Sequence, residues 1–530
     1  MASETRRFWG WGHEEHVVPS ETLAFAEASL GALLGAPLER RAPPRVEDVP
    51  LPAPRFALPD SLAHLATTAP FDRLNHALGK SYRDIARAVA RRVPHPPDVV
   101  AFPTTEAEIV ALLDHAAHHR VAVVPYGGGS SVAGGVEPRC DGFDRTMSLD
   151  LTRMESLLAV DPASRAARIQ AGALGPRVEQ QLRPHGLTLR HFPQSFEFSS
   201  LGGWIATRAG GHYATLATHI DDLVESIRVV TPSGIIETRR LPGSGAGPQP
   251  ERLFMGSEGA LGVITEAWMR VVPRPTYRAS ATVKFDSFEK GLDALREISQ
   301  SGLHPTNARL LDPAEAMVSG SGSGDAALLL LAFESADHAL EPWIQRAVEL
   351  ARASGGRCNP DRVKASHDFG GARDETADTY KKLFLEAPYL RDEIILRGVF
   401  VETYETATVW SNVGALDAAV REAVARVVKG PHVLATRITH AYPDGCAPYY
   451  TLLCAAHPTD PEAQWIDVKA AITDAIVAAG GTSTHHHAVG RDVLSFYEKE
   501  RPPLFGAALS AVKRTLDPVG IMNPGVLVAR

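Results

Sequence analysis

Residues 124–135 read VPYGGGSSVAGG and follow the apolar run that begins at Val121. The run has the composition of a buried strand, and the glycines after it remove the Cβ atoms that would keep an anion away from the backbone amides. Residues 127, 128 and 129 are all glycine, so the loop matches neither GxGxxG nor the GK[ST] of a triphosphate loop. By itself it is equally compatible with a tight turn. Two further Gly/Ser-rich stretches, SFEFSSLGGWIATRAGG (195–211) and FMGSEGALGVITEAW (254–268), each adjoin a β-like segment. Three such loops can converge on one extended ligand carrying phosphates and a ring system, and a dinucleotide fits better than a single phosphate.

At 530 residues the chain predicts two or three domains. Hydrophobic residues at 44% and charged residues at 22% are ordinary globular values. A net charge of -8 supplies no basic field for a nucleic-acid backbone, so no nucleic-acid partner is expected. Cys140, Cys358, Cys446 and Cys454 form no CxxC pair, which fits a reducing, cytoplasmic setting. The N-terminal MASETRRFWGWGHEEHVVPS lacks the apolar core of a secretory signal, and no stretch approaches a membrane span of about 20 apolar residues. DAALLLLAF, from Asp325 to Phe333, reads as a buried strand.

The first 95 residues mix Pro-rich loops with amphipathic pieces such as SYRDIARAVARR, where Ile85, Ala88 and Val89 share a helical face. From Pro97 the order becomes strand, capped helix, strand and glycine loop. Thr104 or Thr105 can cap that helix, Ile109, Leu112, Leu113 and Ala116 form its buried face, and His115, His118 and His119 fall on its solvated last turns. A second α/β texture starts after VVPRPTYRAS, where two prolines interrupt any ladder or helix. The expected organisation is a helical leader over 1–95, domains over 96–275 and 276–490, and a helical segment over 491–530 that packs back on the first domain. Trp9, Trp11 and Trp204 read as packing residues, and Cys446 and Cys454 as small apolar ones.

Near the C-terminus, TSTHHHAVGRD spans residues 482–492. In extended backbone His485 and His487 point to one side and His486 to the other, so the run cannot present three ligands together without a bend. No metal is assigned.

The pattern PYGGGSS, EFSSLGGWIATRAGG and GSEGALGVITEA resembles the PCMH-type FAD-binding domain of vanillyl-alcohol-oxidase-like flavoproteins. With FWGWG, FVETYETATVW, RITHAYPDGCAPYYTLL and HHHAVGRD, the chain is similar to the alkylglycerone-phosphate synthase (alkyldihydroxyacetonephosphate synthase) family over nearly its whole length. The resemblance implies an α+β fold: a PCMH-type FAD-binding domain, a second α/β substrate (cap) domain and the helical leader. It implies FAD held by Pro125, Tyr126, Gly127, Gly128, Gly129, Ser130 and Ser131 at the pyrophosphate. The other contacts would come from Gln194, Ser195, Phe196, Glu197, Phe198, Ser199 and Ser200; from Thr207, Arg208, Ala209 and Gly210; and from Glu258, Gly259, Ala260, Leu261, Gly262, Val263 and Ile264. With Tyr126 before the glycines, and no histidine or cysteine in that loop, the FAD is expected to be non-covalent.

By the same resemblance Arg391, eleven residues before Glu402, binds the substrate anion. Tyr449 is the acid/base, its pKa lowered by neighbouring histidines, and His485, His486 and His487 move protons or hold an anion. The implied chemistry exchanges the acyl group of acyl-dihydroxyacetone phosphate for a fatty alcohol through a flavin N5 adduct, without net redox, in ether-lipid synthesis. The partner is then a small-molecule or lipid substrate; a homodimer is implied, and any membrane contact is peripheral.

Three features depart from the family. Between Met317 and Leu328 stands only VSGSGSGDAA, where the eukaryotic enzymes carry a longer hydrophobic insertion; Gly243 occupies a position where the family has arginine; and the chain ends LVAR, without a peroxisomal tripeptide. The alternative is an FAD-dependent dehydrogenase or oxidase of a 2-hydroxy acid or alcohol. The segments ITHAYPDG and HHHAVG lack the HxGDGNxH signature of many such enzymes. A flavin carrier without catalysis would not need Arg391, Tyr449 and three histidines together.

Overall fold

A computed structural model describes residues 5–35, 38–139, 142–367 and 375–528, with side chains in the helix Glu375–Leu396 described from Glu386 onward. Cys140 lies outside the described residues. Thr105 opens the helix Glu106–His119 through a reciprocal capping box with Glu108, which satisfies amides that the first helical turn leaves unpaired. Ile109, Leu112, Leu113 and Ala116 are its buried residues, as their spacing predicts. Arg120, at φ 53°, turns the chain into the strand Val121–Tyr126. That strand and Val99–Ala101 run parallel to Arg145–Asp150, which lies between them. Ala66–Thr67, from the N-terminal segment, adds an antiparallel edge. The glycine loop therefore leaves the C-terminal end of a parallel strand, where ligands of open α/β sheets bind.

Five antiparallel strands drawn from Leu157–Arg270 form a second sheet, and the hydrophobic core beneath it includes Trp204. An eight-stranded antiparallel sheet takes its strands from Tyr277 to Ala455. DAALLLLAF lies in its strand Ala327–Ser335. The helix Tyr82–Val89 is buried on every face, not on one, because it packs against both the cap-side strand Val399–Glu405 and the helix Pro461–Ala478.

Register in the large sheet decides the site. Glu405 pairs with Tyr449, and Tyr449 with Arg437, so three adjacent strands present these residues in one row. Alternation sends Tyr450 into the hydrophobic core and Tyr449 to the opposite face. The C-terminal segment returns to the first sheet: Met522 bridges Val123, and Asn523 Nδ2 donates to the carbonyls of Gly135 (2.9 Å) and Glu258 (2.7 Å). No described helix is long and apolar enough to cross a membrane.

Candidate active site

The glycine loop is shaped first by its own protein neighbours. A Cβ on Gly128 would lie 1.6 Å from the Phe198 carbonyl oxygen, and Gly129 sits at φ 69°. Only glycine lets the two loops approach this closely. Ser200 caps the next helix, Leu201–Thr207, by accepting from the Gly203 amide.

One cavity collects the three loops. Pro125, Tyr126, Gly127, Gly128, Gly129, Ser130 and Ser131 line it, with Gln194, Ser195, Ser199, Ser200, Thr207, Ala209, Gly210, Glu258, Gly259, Gly262 and Ile264. Eight of the expected residues do not. Phe196 packs under Gly175 and beside Trp204. Glu197 accepts a hydrogen bond from the Tyr389 hydroxyl at 3.1 Å. Phe198 packs edge-on to Trp11. Arg208 is a left-handed helix cap whose guanidinium turns outward to Asp221. Ala260, Leu261 and Val263 are core residues. His485 lies behind His486, against Tyr442.

The same cavity brings together Arg391, Tyr449, His486 and His487 with residues to which the sequence assigned no site role: Trp11, Lys80, Arg309, Arg437, Thr439 and His440. The Arg437 guanidinium stacks 3.8 Å from the Tyr449 ring centre and is held by Glu315 at 2.7 Å. Burial pushes the Tyr449 hydroxyl above its ordinary pKa, while Arg437 and a hydrogen bond with Thr403 work against this. The moderating charge thus comes from an arginine, not from the histidines. Burial drives His485 and His440 well below the ordinary imidazole range, and His487 to about 3.

Nor is the histidine run extended. It bends around Glu405, whose carboxylate accepts from the amides of His485 (2.6 Å), His486 (3.0 Å) and His487 (2.9 Å) and from the Thr484 hydroxyl (2.5 Å). Burial opposes ionisation of Glu405, but the surrounding imidazoles outweigh it and hold the carboxyl well below the usual range. The bend also places nitrogens of His440, His485 and His486 within 4.8 Å of one another, a convergence that extended backbone forbids. A hydrogen-bonded chain runs from His486 Nδ1 to His485 Nδ1 (3.0 Å) and from His485 Nε2 to the Tyr442 hydroxyl (2.8 Å). Glu402, the spacing marker for Arg391, instead accepts from Lys469 at 3.1 Å. The signal for Glu405 was present in VETYET, where two glutamates three apart on a strand face opposite sides.

The cavity fits FAD. Its loops carry glycines where side chains would collide, and the one carboxylate among their lining residues, Glu258, is committed to the amides of Val489 (2.9 Å) and Gly490 (2.8 Å). Residues 97–239 match the FAD binding domain model, and residues 274–527 match that of the FAD linked oxidases, C-terminal domain. Alkyldihydroxyacetonephosphate synthase of Dictyostelium discoideum is 31% identical, over 89% of this chain and 79% of its own length. The chain belongs to the alkyldihydroxyacetonephosphate synthase family. The synthase of Caenorhabditis elegans is 30% identical over 86% of this chain and 80% of its own. A solved structure of an alkyldihydroxyacetonephosphate synthase superposes with a TM-score of 0.79 at 26% identity, covering 98% of both chains. The protein is thus an FAD-dependent enzyme of this family. Gly243, the position of an implied family arginine, lies on an exposed loop with no atom within 4 Å of its Cβ position and does not line the cavity.

Proposed function

We propose that the protein exchanges the acyl group of an acyl-dihydroxyacetone phosphate for a fatty alcohol, using a dissociable FAD. The observation that carries this reading is the placement of Tyr449, stacked on Arg437 and facing the same cavity as the glycine loops. When bound, the flavin supplies an electron sink beside the reacting carbon. Tyr449 holds or moves the proton of that carbon, Arg437 stabilises its oxyanion form, and His486 and His487 close the other side. Arg391 binds the substrate anion. The ester C–O bond breaks, releasing a fatty-acid carboxylate; the alcohol oxygen bonds to the same carbon and gives up its proton, with no net electron transfer. Peripheral membrane contact and a homodimer belong to this reading through family membership, with vesicle co-pelleting and sedimentation as their tests.

The deciding experiment is anaerobic. The yellow protein is mixed with an acyl-dihydroxyacetone phosphate, then with a fatty alcohol. Bleaching without an electron donor, reversed by the alcohol with release of one fatty acid and no peroxide, is the expected result. No bleaching with that substrate, but reduction by a hydroxy acid that dioxygen or a quinone reverses, would replace the proposal with a redox reaction.

A further inference from the structure

Lys80 is buried to 1% exposure in the wall of the cavity, and no reading of the sequence singled it out. Its position is fixed. The Lys80 amide donates to the Ser131 carbonyl at 2.7 Å, and a Cβ on Gly79 would lie 2.2 Å from that same oxygen. Ser81, next in sequence, caps the helix Tyr82–Val89. The lysine therefore stands where the end of the glycine loop meets the start of a buried helix.

Its ammonium has few protein partners. Among the described residues Nζ donates one hydrogen bond, to the Phe8 carbonyl at 3.2 Å. The charged groups that act on it are Arg6 and Arg391, both cationic, and the carboxylates of Asp392 and Asp84. Asp392 is engaged by Arg391 (3.1 Å) and the Trp11 amide (2.5 Å); Asp84 accepts from the amide (3.2 Å) and hydroxyl (2.9 Å) of Ser81 at Oδ2 alone, and among the described residues neither carboxylate forms an ion pair with Nζ. Arg6 Nη2 donates to the Gly128 carbonyl at 3.1 Å, inside the glycine loop. A buried ammonium without a close counter-ion is costly, and a lysine kept only for packing extends its charge to water. Here the side chain is buried in the wall of a cavity that Arg391 also lines, while Arg6 reaches the glycine loop beside it. Burial, reinforced by Arg6, lowers the amine to about 7, a cost that an incoming anion would reverse.

We propose that Lys80 is a phosphate-binding residue of this cavity, a compact point charge added to the anion site that the proposed function gives to Arg391. This rests on the reading of the cavity as the place where FAD and a phosphorylated substrate meet. The phosphate is either the pyrophosphate of the cofactor or the phosphomonoester of the substrate.

The test uses the full-length holoenzyme and the variants Lys80→Met and Lys80→Arg. FAD release on dilution is followed by fluorescence, and binding of dihydroxyacetone phosphate and of inorganic phosphate by flavin absorbance. Lys80→Met should weaken FAD retention or phosphate-ligand binding by about tenfold, with Lys80→Arg within about threefold of the parent, as a charge-assisted contact requires. Loss in the first arm assigns the subsite to the cofactor, and loss in the second to the substrate. Lys80→Met should leave the thermal midpoint equal or higher, because it removes a buried charge. Binding to the parent should weaken as pH rises above about 7, where the amine must first take up a proton, and Lys80→Arg should lack that fall. Unchanged constants in both arms, or a lowered thermal midpoint shared by both variants, would overturn the proposal. A parent that binds dihydroxyacetone phosphate through Lys80 yet transfers no alkyl group would leave the subsite standing and remove only the proposed function.

Discussion

Oε2 of Glu405 lies 3.2 Å from Nδ1 of His486 and 3.0 Å from the backbone amide of the same residue. One carboxylate thus fixes both the path of the loop and the orientation of a ring that faces the cavity. Glu405→Ala removes the shared acceptor of three amides. Because a buried hydrogen-bonding group left without a partner costs about 1–3 kcal/mol, the expected loss of stability is on the order of 3–5 kcal/mol. Urea unfolding measures it; a change below about 1 kcal/mol would show that water replaces the carboxylate without penalty.

Tyr449→Phe keeps the ring under Arg437 and removes only the hydroxyl. Turnover should fall by about 10²–10⁴, the usual contribution of a positioned acid/base, while flavin absorbance per protein stays at the parental value. Full turnover in the variant would take Tyr449 out of the proton transfer.

Gly128→Ala places a methyl group where the Phe198 carbonyl already stands. The two loops must part, so the purified variant should carry little FAD, and its thermal midpoint should fall even before cofactor is considered. Normal FAD content would mean that the loops can separate without disturbing the cavity.

Glu137 is enclosed by Arg83 (3.3 Å), Arg87 (3.1 Å), His95 (2.7 Å) and Arg139 (3.2 Å). Burial opposes its ionisation, yet the His95 contact and the three arginines bring its pKa down to about 2, below the free value of 4.5. A depressed folded-state pKa stabilises above the unfolded value and is lost as the proton goes on. The parent should therefore lose stability as pH falls from about 4.5 toward 2, by roughly 2–3 kcal/mol from this group. Glu137→Gln should be less stable at pH 7 and should show a shallower acid limb. Equal acid limbs in urea titrations would assign the stabilisation elsewhere.

The parts of the site that the sequence exposed are those whose chemistry is local. Three glycine segments, a capped helix and a buried strand carry their signals within a dozen residues, and their convergence on a cavity followed. Phe196, Phe198, Ala260, Leu261 and Val263 do not line the cavity, because a residue within a binding loop can face its core as readily as its ligand. Arg208 leaves the cavity because a left-handed helix cap swings its side chain outward to Asp221. Arg309, Arg437 and Lys80 carried no motif: a buried arginine or lysine looks the same in sequence as an exposed one.

Local pattern determined the buried strand, the capped helix and the three glycine segments, since glycine placement and strand alternation act over a few residues; FAD entered through the family resemblance that those segments carry, and the parallel pairing through the structure. Strand register and loop curvature were decided only by the tertiary structure. Pairing across the large sheet put Glu405, Tyr449 and Arg437 in one row, from positions scattered over more than thirty residues. The amides of three successive histidines fold around Glu405, because a buried carboxylate needs donors and the bend supplies three.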